Sequence, residues 1–173
     1  MKESVGKMMQ TMIRYNAGDP KRIQHALKVH SFAVSIGEHE HLDEEQMEIL
    51  ELAAILHDIG IHNSEEKYGS SAGKYQELEG PPVAGRLLLE AGASAKVTKR
   101  VCYLVGHHHT YADIDGMDYQ ILIEADFLVN LYEDGLERSA AETVLNKHFK
   151  TARGKEYLTA MYLQDGGVYG AQE

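Results

Sequence analysis

The chain has 173 residues, of which 43% are hydrophobic and 25% charged, and its formal net charge is -10 at pH 7. This size suits one domain with its own core, and the acidic excess argues against a nucleic-acid polymer as a partner, because such binding needs a clustered basic face. The single cysteine, Cys102, excludes an intrachain disulfide, and no apolar stretch has the length of a membrane span or the form of a secretory signal, so we expect a cytoplasmic protein.

Helix signals dominate the chain from its start, and no alternating polar-apolar run is long enough for a sheet. Asp19 places a capping side chain before a proline at the first helical position, and Asp43 precedes acidic residues that suit a helix N-terminus. The fold class that we predict is all-α, a single-domain bundle of about seven or eight helices. The predicted helices cover 2–16, 20–39, 43–58, 81–91, 94–108, 118–133, 138–149 and 151–163.

One domain is expected over the whole chain, 1–173. Its core is predicted over 20–132, with the C-terminal helices over 138–163 packed on that core and a frayed tail from Gly166 onward. The oligomeric state is left open, a homodimer included.

The second predicted helix carries a histidine on its apolar face. A helix advances about 100° per residue, so His25 lies on the same face as Val29 and Ile36. Arg22 lies one turn earlier on that face, and its guanidinium suits bidentate phosphate binding. The alternatives are a packing histidine satisfied by a carbonyl, and an ion pair between Arg22 and a surface acid.

The third predicted helix ends on the pair His57-Asp58. His57 shares a face with Leu50 and Ala54. Asp58 falls at a helix C-terminus, where the helix dipole disfavours an acid. That mismatch favours a coordinating role for Asp58 over an ordinary helix end.

The stretch 61–80 is the longest segment predicted to be irregular. It is polar and carries Gly69 and Gly73 in its middle, and we expect a functional loop there. Lys67 and Lys74 lie in this segment and are candidates to close over an anionic substrate. The alternative for each lysine is a solvated loop charge.

Two later helices carry further inward-facing polar groups. His108 continues the apolar stripe of Val101, and Asp126 lies beside Leu122 and Val129. An ionised Asp on a core face is unfavourable unless it is paired or coordinated. A shared divalent cation accounts for all these positions, and imidazole with carboxylate suits iron, manganese, zinc, cobalt or nickel better than calcium.

The remaining histidines show a weaker pattern. We interpret His30 as a packing residue. Solvated positions are expected for His39, His41 and His148. His62 and His109 stay ambiguous, since each lies one or more residues past a predicted ligand.

The order of these groups resembles the HD-domain superfamily of metal-dependent phosphohydrolases. The motifs are a leading His25, then AAILHDIG, GHHH and EADFLVN, over roughly 20–132. The resemblance implies a bundle of the HD-domain type with at least five helices. It also implies a divalent metal bound by His25, His57, Asp58 and Asp126.

Some branches of this superfamily bind a second metal through three further histidines, of which the last two are often adjacent. His107 and His108 match the adjacent pair. Near the remaining position the chain reads ELEGPPVAG, so Glu79 is a candidate oxygen ligand, or else an ordinary loop acid. We expect one site for a divalent transition metal and leave a second site open.

The resemblance implies hydrolysis of a small phosphate ester, for example a nucleotide, by a metal-activated water in a phosphomonoesterase or phosphodiesterase reaction. Asp58 is the predicted catalytic residue, because it would bind the metal and accept a hydrogen bond from the attacking water. Asn130 and Tyr111 are weaker candidates for substrate contact. The chain lacks the Gly-Tyr-Pro signature of cyclic-dinucleotide phosphodiesterases after its histidine pair. Two alternatives stay open: a non-catalytic metal- or nucleotide-binding sensory module, and a di-iron oxygenase of the same fold.

Overall fold

The computed structural model describes residues 2–164, which fold into nine α-helices and contain no strand. The predicted all-α bundle is confirmed. Within the described range no helix combines the length and apolarity needed to cross a bilayer. The predicted frayed tail from Gly166 lies outside the described residues. The helices are α1 (Glu3–Tyr15), α2 (Pro20–His39), α3 (Glu44–Leu56), α4 (Ile61–Tyr68), α5 (Gly73–Glu90), α6 (Ala95–Val105), α7 (Met117–Glu133), α8 (Arg138–His148) and α9 (Ala152–Leu158), which continues into a π-helical turn at Thr159–Leu163.

Side-chain caps set the starts of α2, α3 and α6, as Thr151 does for α9. Asp19 accepts a hydrogen bond from the backbone N–H of Arg22 before α2. Asp43 and Gln46 form a reciprocal capping box at α3, and Ser94 accepts from the first turn of α6. Each such cap typically contributes about 1 kcal/mol. These three helices therefore begin within a residue of the predicted positions.

Two central helices carry polar groups into the core. Residues 49–56 of α3 and 118–126 of α7 are buried without a break. A helix that is buried on all sides has no solvent face, so it must be enclosed by others. Helix α3 packs against α1, α2, α6 and α7, and α2 also packs against α7. Polar residues on α3 and α7 consequently face one another inside the bundle.

The predicted loop over 61–80 is wrong. Helix α4 occupies its first half, and α5 begins at Gly73 and contains Pro81 and Pro82 in its interior. The buried positions of α5 recur every three to four residues from Gln76 to Leu88. The first buried positions are polar or glycine, so no hydrophobic pattern marks the early half of the helix.

Two glycines allow α5 to touch the turn that follows α3. A Cβ on Gly60 would lie 2.4 Å from the backbone nitrogen of Gly80. A Cβ on Gly80 would lie 2.6 Å from Cγ1 of Val105. Backbone cannot yield at the distance found at Gly60, so that position requires glycine, whereas a side chain at Gly80 would have to displace the buried Val105. This contact fixes α5 and the end of α6 beside the His57-Asp58 turn.

A buried acid ties the C-terminal helices to α7. Glu124 is fully buried, and its Oε1 accepts from the backbone N–H groups of Lys150 and Thr151, at 2.6 and 3.0 Å. The Thr151 hydroxyl donates to Oε2, and the amide of Gln120 donates to Oε1. Every one of these partners is a hydrogen-bond donor of the chain, so the carboxylate is fully satisfied.

Candidate metal centre

Four side chains from α2, α7 and the end of α3 meet inside the bundle. Nε2 of His25 lies 3.0 Å from Nε2 of His57 and 3.2 Å from Oδ1 of Asp126. Oδ2 of Asp58 lies 3.6 Å from Nε2 of His25 and 3.7 Å from Nε2 of His57. The structure thus brings together all four residues predicted to bind the first metal. We call them the first group.

The hydrogen bonds of the two imidazoles fix where their lone pairs point. Nδ1 of His57 donates to the carbonyl of Ala54 at 2.8 Å, and Nδ1 of His25 donates to Oε2 of Glu133 at 2.9 Å. A neutral imidazole with a protonated Nδ1 carries a lone pair on Nε2. Two lone pairs that face each other at 3.0 Å repel, so this geometry favours a positive charge shared by the two nitrogens, either a proton or a metal ion.

A second group shares Asp58 with the first. Oδ1 of Asp58 lies 3.3 Å from Nε2 of His108, and Asp58, His108 and His109 present donor atoms that all lie within 4.8 Å of one another. Nδ1 of His108 donates to the carbonyl of Val105, which leaves its Nε2 as a lone pair. We call these three residues the second group. The two oxygens of Asp58 therefore face different groups.

Buried nitrogens without partners fit a metal at the second group. Within residues 2–164, the Nε2 atoms of His108 and His109 are buried and have no hydrogen-bond partner. A buried polar atom left unsatisfied disfavours the fold by about 1–3 kcal/mol. Coordination to a divalent transition metal removes that penalty, and nitrogen with carboxylate oxygen is the donor set that such ions accept.

The electrostatics of the first group favour positive charge. Burial by itself lowers the pKa of His57, but the carboxylates of Asp58 and Asp126 raise it to about 9. Burial opposes ionisation of Asp126, and yet hydrogen bonds and charge from His25 and His57 hold its pKa well below the usual range. A pocket that stabilises an extra proton in this way also stabilises a metal cation, and the two compete.

In the second group, His109 is in the protonation state that binds metals. Burial, followed by the neighbouring His108, lowers the pKa of His109 to about 4. His109 is therefore neutral at pH 7, and a neutral imidazole is the form that binds metals.

A cavity of about 410 Å³ opens onto both groups through His25, Asp58, His109 and Asp126. Its walls are polar, and Ile61 is the one aliphatic residue that lines it among the described residues. The other lining residues are Asp19, Lys21, Arg22, Ser71, Gln76, Asn130, Glu133 and Asp134.

Arg22 lines this cavity and is held by two acids. Its Nη1 lies 2.5 Å from Oδ2 of Asp19, and its Nη2 lies 2.6 Å from Oε1 of Glu65. The ion pair considered for Arg22 from the sequence is thus present. The same contacts hold the guanidinium at the cavity, beside Lys21, which sequence analysis missed although it directly precedes Arg22.

The structure does not bring Lys67, Lys74 or Glu79 to the metal groups. Nζ of Lys67 lies 2.5 Å from Oε2 of Glu79, and Tyr68 donates to the other oxygen of that carboxylate. The ammonium of Lys74 lies 4.6 Å from the ring centre of Tyr75. None of the three predicted residues lines the cavity. The physical reason is that the segment is helical, so these side chains cannot fold over the site as a flexible loop would.

His107 also lies outside both groups. Its Nδ1 donates to the carbonyl of Tyr103, and its ring stacks on the Tyr103 ring at 4.2 Å. The adjacent pair at the centre is His108 and His109 instead of His107 and His108. Helix α6 ends at Val105, three residues before the predicted end, so helical spacing no longer sets the directions of the side chains that follow.

Sequence analysis missed two acids that support the histidines. Glu133, which accepts from Nδ1 of His25, lies seven residues after Asp126, and this two-turn spacing on one helix face could have revealed it. Oε1 of Glu77 accepts from the backbone N–H of His109 at 3.0 Å and from the hydroxyl of Thr110 at 2.9 Å. No sequence pattern marked Glu77, because its helix was predicted as a loop.

The two weaker substrate candidates lie in different places. Asn130 lines the cavity, and its amide donates to Oδ1 of Asp126 at 2.9 Å. Tyr111 does not line it, and instead its ring packs against Phe127 and His148, with centres 5.1 and 4.8 Å away.

Comparison with known proteins gives two similarities. The HD domain family matches residues 22–157. The crystal structure of a predicted HD superfamily hydrolase from an uncultured Thermotogales bacterium is similar in fold, with a TM-score of 0.64 and 23% sequence identity over 89% of this chain and 82% of that chain. No curated protein matches significantly. The family match contains every residue of both groups, and the structural similarity supports the fold.

Proposed function

The chain belongs to the HD-domain family, and on this premise we propose that it is a metal-dependent hydrolase of small phosphate esters. The observation that carries the proposal is the pair of imidazole Nε2 atoms 3.0 Å apart, flanked by two carboxylates. Hydrogen bonds on the opposite nitrogens fix both lone pairs toward the same point. A metal ion bound at that point satisfies both nitrogens and both carboxylates, in competition with a proton.

Both groups take part in the proposed centre. The first group would hold one divalent ion, and Asp58 with His108 and His109 would hold a second. An ion bound there supplies a coordinated water of lowered pKa and neutralises charge on phosphoryl oxygens. Iron, manganese, nickel, cobalt and zinc all suit these ligands.

The charge of the cavity supports a requirement for metal in substrate binding. Two basic groups, Lys21 and Arg22, oppose five carboxylates on its walls. An anionic ester is repelled by that balance unless cations reverse it locally. The five carboxylates belong to Asp19, Asp58, Asp126, Glu133 and Asp134.

The chain's own residues then bind and orient the ester. Arg22, fixed by its two acids, presents planar donors that match phosphate oxygens. Asn130 orients the carboxylate of Asp126 through its amide. Asp58 is the proposed catalytic residue, since it faces both groups and can accept a hydrogen bond from the attacking water. The polar walls suit a small hydrophilic ester, with nucleotides and sugar phosphates as the classes to compare.

The test is metal analysis of the purified protein followed by a phosphate-release screen over nucleotides and sugar phosphates with Mn²⁺, Ni²⁺, Co²⁺, Zn²⁺ or Fe²⁺. We expect release by the wild type and a loss of at least about 100-fold in Asp58→Asn, the scale of losing a group that acts on the reacting proton. Asp113→Asn is the matched control, because Asp113 is exposed and lies in neither group.

Several outcomes would contradict the proposal. Full activity in Asp58→Asn would remove the assigned role of that residue. Metal-loaded protein that binds a nucleotide stoichiometrically without product would indicate a sensory module. An iron-dependent visible band with oxygen uptake would indicate an oxygenase.

A further inference from the structure

The second group is short of ligands compared with the first. The first group offers two imidazoles and two carboxylates, whereas the second offers two imidazoles and only the shared Asp58. Divalent transition metals in proteins typically take at least four ligands. The fourth position can be taken by a water, as in catalytic sites, or by a further protein donor on the side of the cavity that faces His109.

Gln76 on α5 has an unused oxygen on the wall of this cavity. Its side chain is 6% exposed, and it lines the cavity together with Asp58 and His109. Its Nε2 donates to the carbonyl of Ser71 at 2.7 Å, and only the nitrogen of an amide can make that bond. The orientation of the amide is therefore fixed, and Oε1 has no hydrogen-bond partner within residues 2–164.

The ring of His109 packs on the first turn of α5, beside Gln76. A Cβ added to Gly73 would lie 2.6 Å from Cγ of His109, so the ring sits directly on that glycine. Gln76 follows three residues later, which places it on the same helix face. The described residues contain five buried side-chain atoms without partners, and three of them are the Nε2 atoms of His108 and His109 and Oε1 of Gln76.

We propose that Oε1 of Gln76 is a ligand of the cation in the second group, an inference that rests on the metal centre of the proposed function. An amide oxygen is a hard, neutral donor that can complete a set of two imidazoles and one carboxylate. The second cation then has one shared carboxylate, whereas the first has two. It is consequently bound more weakly, and metal binding proceeds in two steps.

The experiment measures metal binding without reference to turnover. Metal-stripped full-length protein is titrated with Mn²⁺, and free Mn²⁺ is followed by electron paramagnetic resonance. The wild type is expected to bind two equivalents with separate affinities. Gln76→Leu keeps the side-chain volume but removes the oxygen, and we expect its second affinity to fall at least about 10-fold while the first stays unchanged. Gln10→Leu makes the same change on the exposed face of α1 and should titrate like the wild type.

Gln76→Glu covers the case in which Gln76→Leu does not fold, as judged by circular dichroism. An added negative charge on the same atom should tighten the second step at least about 10-fold. Unchanged second-step affinity in either folded variant overturns the inference. A wild type that binds one equivalent also overturns it and leaves a mononuclear hydrolase intact, whereas a wild type that binds none, with any of the five metals, removes the proposed function itself.

Discussion

Two buried acids on α7, Glu124 and Asp126, lie two residues apart and have opposite surroundings. Glu124 is surrounded by donors of the chain, including the backbone N–H groups of Lys150 and Thr151. Asp126 accepts a hydrogen bond from Asn130, and its Oδ1 otherwise faces the Nε2 atoms of His25 and His57, at 3.2 and 3.6 Å. A buried acid that the chain itself satisfies stabilises the fold. A buried acid that faces other electron-rich atoms marks a place for a cation.

The largest expected effect is a loss of metal binding at Asp126, which tests whether this acid serves a cation and not the fold. Asp126→Asn removes one of the two carboxylates of the first group, so we expect Mn²⁺ affinity at the first step to fall about 100-fold and phosphate release to fall at least as much. Where free metal exceeds the wild-type Kd about 100-fold, chelation should lower the free energy of unfolding by about 2.7 kcal/mol in the wild type and by about 0.4 kcal/mol in the variant.

Thermal unfolding with and without chelator measures this difference. Equal responses of the wild type and Asp126→Asn to chelator would mean that the bound metal does not use this carboxylate, and the contrast between the two acids would then be lost.

The second-largest expected effect is a loss of stability at Glu124. Glu124→Gln turns an acceptor into a partial donor that faces the N–H groups of Lys150 and Thr151, so we expect the free energy of unfolding to fall by about 3 kcal/mol. The folded variant should still bind Mn²⁺ with wild-type affinity, because Glu124 lies in neither group.

Urea denaturation and Mn²⁺ titration together check this prediction. Glu142→Gln, an exposed position on α8, is the control and should change stability by less than about 0.5 kcal/mol. A large loss of metal affinity in folded Glu124→Gln would show that the two acids are coupled and do not have separate roles.

The smallest expected effect is at Glu79, the acid that sequence analysis considered as a metal ligand. Its carboxylate pairs with Lys67 and accepts a hydrogen bond from Tyr68. We expect Glu79→Gln to loosen that pair, with both Mn²⁺ affinities within about two-fold of the wild type, since Glu79 belongs to neither metal group and does not line the cavity. Loss of the second binding step in this variant would place Glu79, in preference to Gln76, in the second group.

Helical periodicity explains why most of the first group was predictable. His25 and Asp126 interrupt apolar stripes of long, well-capped helices, and in such helices spacing alone tells which face a side chain occupies. The structure places both where that rule predicts. The HD pair follows from the same rule, since α3 is buried to its end.

The second group was predictable only in part, because the apolar stripe indicated His108 as a ligand whereas His109 stayed ambiguous. His108 and His109 follow the end of α6, where no helical spacing applies, and the predicted pair was displaced by one residue. The early part of α5 was missed because its buried positions include Gln76 and Glu79. Polar groups at buried positions weaken the hydrophobic pattern on which the prediction of a helix depends.

By itself, then, the amino-acid sequence determined the helical class, most helix boundaries and the inward faces of α2, α3 and α7, because these depend on local spacing and capping. Only the tertiary structure decided which atoms face Oδ1 of Asp58, the oxygen that belongs to the second group. That choice depends on the approach of α5 to the Gly60 turn, where the backbone at Gly80 comes within contact distance, and on the point at which α6 ends. Contacts between segments distant along the chain leave no periodic trace in the sequence.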